Sequence, residues 1–136
     1  MKPKTALVIG AACALLFGAM LLTSPDGILR GLGLEPHGDG ILVARDMSIL
    51  VFGFAVLDWL GRNAEGKMLR TILIANLFVH VAGFALRGAG IVTHQLPGAA
   101  WPSLVAQAVL ATIFGLALLA TRARDRRRSD KLIRAA

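Results

Sequence analysis

The stretch Thr5-Ala-Leu-Val-Ile-Gly-Ala-Ala-Cys-Ala-Leu-Leu-Phe-Gly-Ala-Met-Leu-Leu22 decides the fold of this chain, because it contains neither a charge nor a side-chain amide. At 1.5 Å per residue, a helix of this length covers most of the ~30 Å hydrocarbon layer of a bilayer. Three further apolar stretches follow, Ile41–Leu60, Leu69–Leu86 and Trp101–Thr121, separated by shorter and more polar connections. The reading is an all-α, transmembrane four-helix bundle, a single integral membrane domain occupying residues 1–136. Hydrophobic residues make up 56% of the chain and mean hydropathy is +0.68. A soluble bundle needs polar outer faces, and these segments lack them.

The formal charge of +7 suggests nucleic acid until its placement is followed. Lys2 and Lys4 precede the first span, Arg62, Lys67 and Arg70 surround the second connection, and seven bases lie in the tail 122–136. Only Arg30, Arg45 and Arg87 fall on the other side. Cytoplasmic flanks of membrane spans are enriched in Lys and Arg, so both termini are expected in the cytoplasm. The basic charge is then a topology and lipid-headgroup signal, and no nucleic-acid partner is expected. A basic start before an apolar run also describes a signal peptide. Here the run ends at Thr23-Ser24-Pro25 without a small-x-small cleavage site, so the first span is read as uncleaved. Cys13 is the sole cysteine, which excludes an intrachain disulfide, and it is expected to pack as a small hydrophobe.

Ser24-Pro25-Asp26-Gly27 stops the first span, because proline opposes helix continuation and glycine relaxes the backbone. Gly27–Gly40 is the longest connection, and its segment Ile28–Leu34 is too apolar for a freely solvated loop. It is expected to lie along the outer interface or to cap the bundle mouth. Trp59 and Trp101 fall at opposite span ends, where indole rings favour the headgroup belts. The third span is expected to leave the membrane near Gly88-Ala89-Gly90.

Asn76, His80, Gly83 and Arg87 recur at spacings of four, three and four, so they share one face of the third helix. Polar groups at that depth turn toward protein or a cavity rather than lipid. Gln107, early in the fourth span, is a candidate neighbour of His80. The stripe has three readings: hydrogen bonds that specify helix packing, a site for a proton, quinone or other ligand, or an axial haem ligand. A lone histidine gives little support to the last, and no cofactor is expected. Arg45 and Asp46 enter the second span at a level comparable with Arg87. An Asp46–Arg87 or Asp46–Arg45 pair, with an anion or headgroup pocket beneath the long loop, is one expectation, and snorkelling of both arginines is the other. Asp58 and Arg62 stand four apart and are expected to form a local ion pair. The candidate ligand-binding set is therefore Arg45, Asn76, His80, Arg87 and Gln107.

Gly10, Ala14 and Gly18 on the first helix, Gly53 on the second and Gly115 on the fourth permit close helix approach. No enzyme signature accompanies them. The glycines at 31, 33, 38 and 40 lack the strand–glycine–helix context of a phosphate loop. Ser24, Ser48 and Ser103 have no histidine–acid arrangement around them, and the two outer histidines, His37 and His94, lack the ligand count of a metal site.

Phe17-Gly18, Pro25, Gly33-Leu34, Ala44-Arg45, Gly53, Trp59 with Arg62, and Asn76 together make the chain resemble a loosely defined family of small bacterial four-helix membrane proteins. The likeness covers most of the chain. It implies a multi-pass inner-membrane location, and the family has no agreed activity to pass on. Leu57-Asp58-Trp59 departs from the pattern by placing an acid where an apolar residue is usual. The expected function is a non-enzymatic accessory or structural membrane protein, whose partners are membrane lipids and either a second copy or another membrane protein. The alternative is a binding protein for a quinone, lipid or other small amphiphile in a cleft around His80 and Arg87.

Overall fold

The computed structural model describes residues 1–135, with side chains described for all of these except Ala99 and residues 127–135. It contains five α-helices, α1 Pro3–Thr23, α2 Pro25–Gly31, α3 Gly38–Gly61, α4 Gly66–Val92 and α5 Trp101–Ala135, and a 3-10 turn at Gly98–Ala100. No strand occurs among the described residues. Four helices are long and apolar enough to cross a membrane: α1, α3, α4 and the Trp101–Arg126 part of α5. The four apolar stretches read from the sequence all lie within them. Most of the basic tail falls in 127–136, outside the described side chains.

Local chemistry explains the boundaries. Pro3 begins α1, where its missing N–H removes no helical bond. Pro25 closes α1, because the residue before a proline is pushed out of helical geometry, and Ser24 has ψ 58°. Gly66 opens α4 at φ 56°, a left-handed conformation that glycine adopts without a Cβ clash. α4 stays helical past Gly88-Ala89-Gly90 to Val92. Gly90 takes part in the packing there. It is buried beneath Leu96, and a Cβ there would come within 2.8 Å of the leucine side chain. That packing outweighs the ~1 kcal/mol that glycine costs a helix.

The long first connection contains the short helix α2, which packs against α1 and α3. Gly33, at φ 75°, lies directly against Pro97 of the α4–α5 connection. The two connections therefore meet over one end of the bundle, here called the loop end. The start of α1, the α3–α4 turn and the exit of α5 at Arg122 gather at the other, the basic end.

Antiparallel α1 and α3 pack along their length, as do α4 and α5, and α1 joins the two pairs through α5. Contact between α3 and α4 is sparse; it includes Gly61 against Ile72 near their connecting turn. The main apolar core lies toward the basic end, with Ala6, Leu7, Ile72, Leu73, Phe114, Ala117 and Leu118 buried together. Large apolar side chains such as Leu16, Ile49, Leu60, Phe78, Leu86 and Leu119 point outward. That inside-out pattern suits lipid as the surrounding solvent and would be a liability in water. Cys13 also faces outward, among these apolar side chains.

The small residues of α1 are occupied within the chain. Gly18 lies under the Phe52 ring of α3, and Gly10 lies under both Asp58 and Phe114. A Cβ at Gly10 would stand 2.5 Å from Asp58 Oδ2 and 2.6 Å from Phe114 Cζ. Gly53 has open space around it and takes no part in helix packing, contrary to expectation. We therefore expect Gly10→Ala to destabilise the bundle by about 1–3 kcal/mol through overpacking, and Gly53→Ala to have almost no effect. Thermal unfolding of both variants in the same detergent checks the contrast.

Candidate functional site

Two groups of interior polar residues form a seam along α4, and Phe114 lies against both. The first contains Asp58 and Asn76. Asp58 is 1% exposed and Asn76 is 4% exposed, so both are removed from any surrounding solvent. Asn76 Nδ2 donates to Asp58 Oδ1 at 2.6 Å and to the Ile72 carbonyl, one turn back on α4, at 3.1 Å. Both neighbours of that nitrogen are acceptors, so the amide can only sit with its NH2 toward them. The bond to Ile72 fixes the rotation of the amide, and the bond to Asp58 ties α4 to α3.

All four long helices contribute to this layer. Gly10 supplies a bare backbone on α1, Asp58 and Asn76 come from α3 and α4, and Phe114 closes the space from α5. Gly10 lies seven residues inside the start of α1, which puts the layer roughly 10 Å from the basic end. Ala44, Ser48, Ala55 and Asp58 are the buried residues along α3 besides its terminal Gly61. Their spacings place them on one face, against α1.

The second group contains His80, Gln107 and Arg87. His80 Nδ1 lies 2.7 Å from Gln107 Oε1. A carbonyl oxygen only accepts, so Nδ1 is the donor, and Nε2 is the acceptor nitrogen of the neutral ring. The imidazole stacks on Phe114, with ring centroids 5.5 Å apart and planes 13° from parallel. Arg87 Nη1 donates to the Gly83 carbonyl at 3.4 Å. A Cβ at Gly83 would stand 3.1 Å from both the Arg87 guanidinium and the Gln107 amide, so glycine lets these two side chains lie across α4. His80, Gln107 and Arg87 are half-buried.

The stripe Asn76, His80, Gly83 and Arg87 thus shares one interior-facing strip of α4, and Gln107 joins it from α5. Arg45 does not. Its side chain is exposed, and only its backbone takes part locally, accepting from Ser48 Oγ at 2.5 Å. Asp46 is also exposed, and the hydrogen bond that Arg87 makes goes to Gly83, so neither the Asp46–Arg87 pair nor a pocket joining Arg45, Asp46 and Arg87 forms. The Asp58–Arg62 pair is absent too. Asp58 turns inward to Asn76, while the Arg62 guanidinium lies over the Trp59 ring, 4.0 Å from its centroid, and donates to the Trp59 carbonyl.

Phe114 packs against both groups, and no hydrogen bond among the described residues links one to the other. The Ser48, Ser103 and Thr121 hydroxyls each donate to a carbonyl of the preceding helical turn. No buried side-chain nitrogen or oxygen among the described residues lacks a hydrogen-bond partner. Sequence reasoning placed Gly10 at a close helix approach but missed Ser48 and Phe114 as parts of this interior. The signal for α3 was present, because Ala44, Ser48 and Ala55 share a face with Asp58.

Comparison with known proteins finds no matching family model, no matching curated protein and no matching solved structure, so the role of the seam rests on its chemistry. Asn76→Ala removes the donor to a fully buried carboxyl group, and we expect a loss of about 1–3 kcal/mol. Replacing both partners, Asp58→Leu with Asn76→Leu, is expected to cost less than the sum of the two single changes. Unfolding free energies of the four proteins in one detergent form the cycle, and simple additivity would argue against a coupled pair.

Proposed function

We propose that the chain is a non-enzymatic accessory or structural protein of the bacterial inner membrane, multi-pass, with both termini in the cytoplasm. The observation that carries this reading is the pairing of polar interior groups with one another. Asn76 is spent on Asp58 and Ile72, and His80 is spent on Gln107 beneath the Phe114 ring. Groups arranged this way define helix packing and leave the chemistry of the outside to the lipid-facing surfaces. The bias of bases toward one end supports the cytoplasmic assignment of the termini. Because α3 covers Gly10 and Gly18, a second copy or another membrane protein would meet the chain through its outward apolar faces instead.

A second reading has its own support. Arg87 makes a single long hydrogen bond, and both it and His80 remain partly exposed, which leaves donors for a quinone, a lipid or another amphiphile at the lateral surface. One measurement tests the topology that both readings share, and a second separates them. Reporter fusions in the Gly61–Met68 connection and after Arg122 are expected to lie on the same, cytoplasmic, side; opposite sides would overturn the topology. Mass spectrometry of gently solubilised protein is expected to find no small amphiphile whose binding depends on His80. A bound species that vanishes in His80→Ala would replace the structural reading with the binding one.

A further inference from the structure

We propose that Arg70, Arg122 and Arg126 form a binding site for the phosphate of an anionic phospholipid, in a groove between α4 and α5 at the basic end. These three arginines and Asp125 line a concavity there. The inference rests on the bilayer reading of the four long helices and is independent of the accessory role.

Helix register makes the groove. Across the antiparallel α4–α5 pair, Gly88 faces Leu104 and Leu77 faces Gly115. The same pairing continued toward the basic end sets Arg70 opposite Arg122. Arg126 lies one turn beyond Arg122 on the same face of α5. Facing guanidiniums repel, and Asp125 offsets only one of the three charges. An oxyanion between the two helices turns that repulsion into two or three charge-assisted hydrogen bonds, and guanidinium geometry suits phosphate oxygens.

Depth and surroundings favour a lipid as the source of the phosphate. Thr121 is buried, and Arg122 follows it as the first charge of α5, so the groove opens where apolar helix gives way to polar surface. One turn toward the membrane interior, Ile74 on α4 and Leu119 on α5 are 44% and 60% exposed. These apolar side chains offer a seat for acyl chains beside the headgroup. A free phosphate would make no use of them.

The test is native mass spectrometry of the full chain in mild detergent, titrated separately with phosphatidylglycerol, phosphatidylcholine and inorganic phosphate. Phosphatidylglycerol is expected to bind at one preferred site, with roughly fivefold weaker binding in Arg70→Gln and again in Arg122→Gln. Arg124→Gln removes the same charge outside the groove and is expected to change binding by less than about twofold, as befits a screened surface charge. Circular dichroism checks that each variant remains folded. Equal losses in Arg124→Gln and Arg70→Gln would reduce the effect to diffuse charge. Displacement of the lipid by inorganic phosphate would identify a free-anion site instead. If phosphatidylcholine binds equally while the protein still requires detergent, the site fails and the bilayer reading stands. Protein that stays dispersed without detergent removes both.

Discussion

A polar side chain within four lipid-facing helices has no water to fall back on, so it must find a partner inside the protein. The Asn76–Asp58 hydrogen bond is the strictest case of that constraint, and much of the bundle is arranged around it. A carboxyl group 1% exposed needs a donor, a small neighbour and a cover. Asn76, Gly10 and Phe114 supply these from three different helices. The side-chain volumes of this layer are therefore mutually dependent. Glycine on α1 is required because an acid on α3 and a phenyl ring on α5 converge on the same spot.

Such a bond is a weak source of net stability. Interhelical hydrogen bonds in membranes are worth about 0.6–2 kcal/mol, because the separated helices also find partners. Its effect is more strongly felt in what it forbids. Apolar helix faces in lipid discriminate poorly between rotations, since one leucine-rich face resembles another. A carboxyl group that must meet an amide removes most of those alternatives. The same logic applies one turn outward, where His80 must meet Gln107.

The four long helices were legible in the sequence, because hydrocarbon thickness demands long uncharged runs and nothing else in a short chain competes with that signal. The shared face of Asn76, His80 and Arg87 was legible for a similar reason, since helical periodicity is a local property. Asp58 was misjudged because Arg62, four residues on, satisfies a local pairing rule. The rule is blind to Gly10, which arrives from another helix and makes the inward position roomy enough. Arg45 failed in the same way. Its sequence level matched that of Arg87, yet α3 packs on α1 and turns Arg45 outward. Depth can be read from one strand of sequence, whereas azimuth depends on which helices touch.

Phe114 gives the seam its character. A continuous chain of donors and acceptors from Asp58 to Arg87 would resemble a conduit, but among the described residues no hydrogen bond joins the two groups, and the fully buried Phe114 ring packs against both. The interior therefore acts as two separate locks, one joining α4 to α3 and the other joining α4 to α5. Both are anchored on α4, at Asn76 and His80, one turn apart. Rotating α4 by a single residue turns its side chains through about 100° and would break both locks together. The polar residues thus specify the orientation of α4 toward α3, a pair whose contact is otherwise sparse.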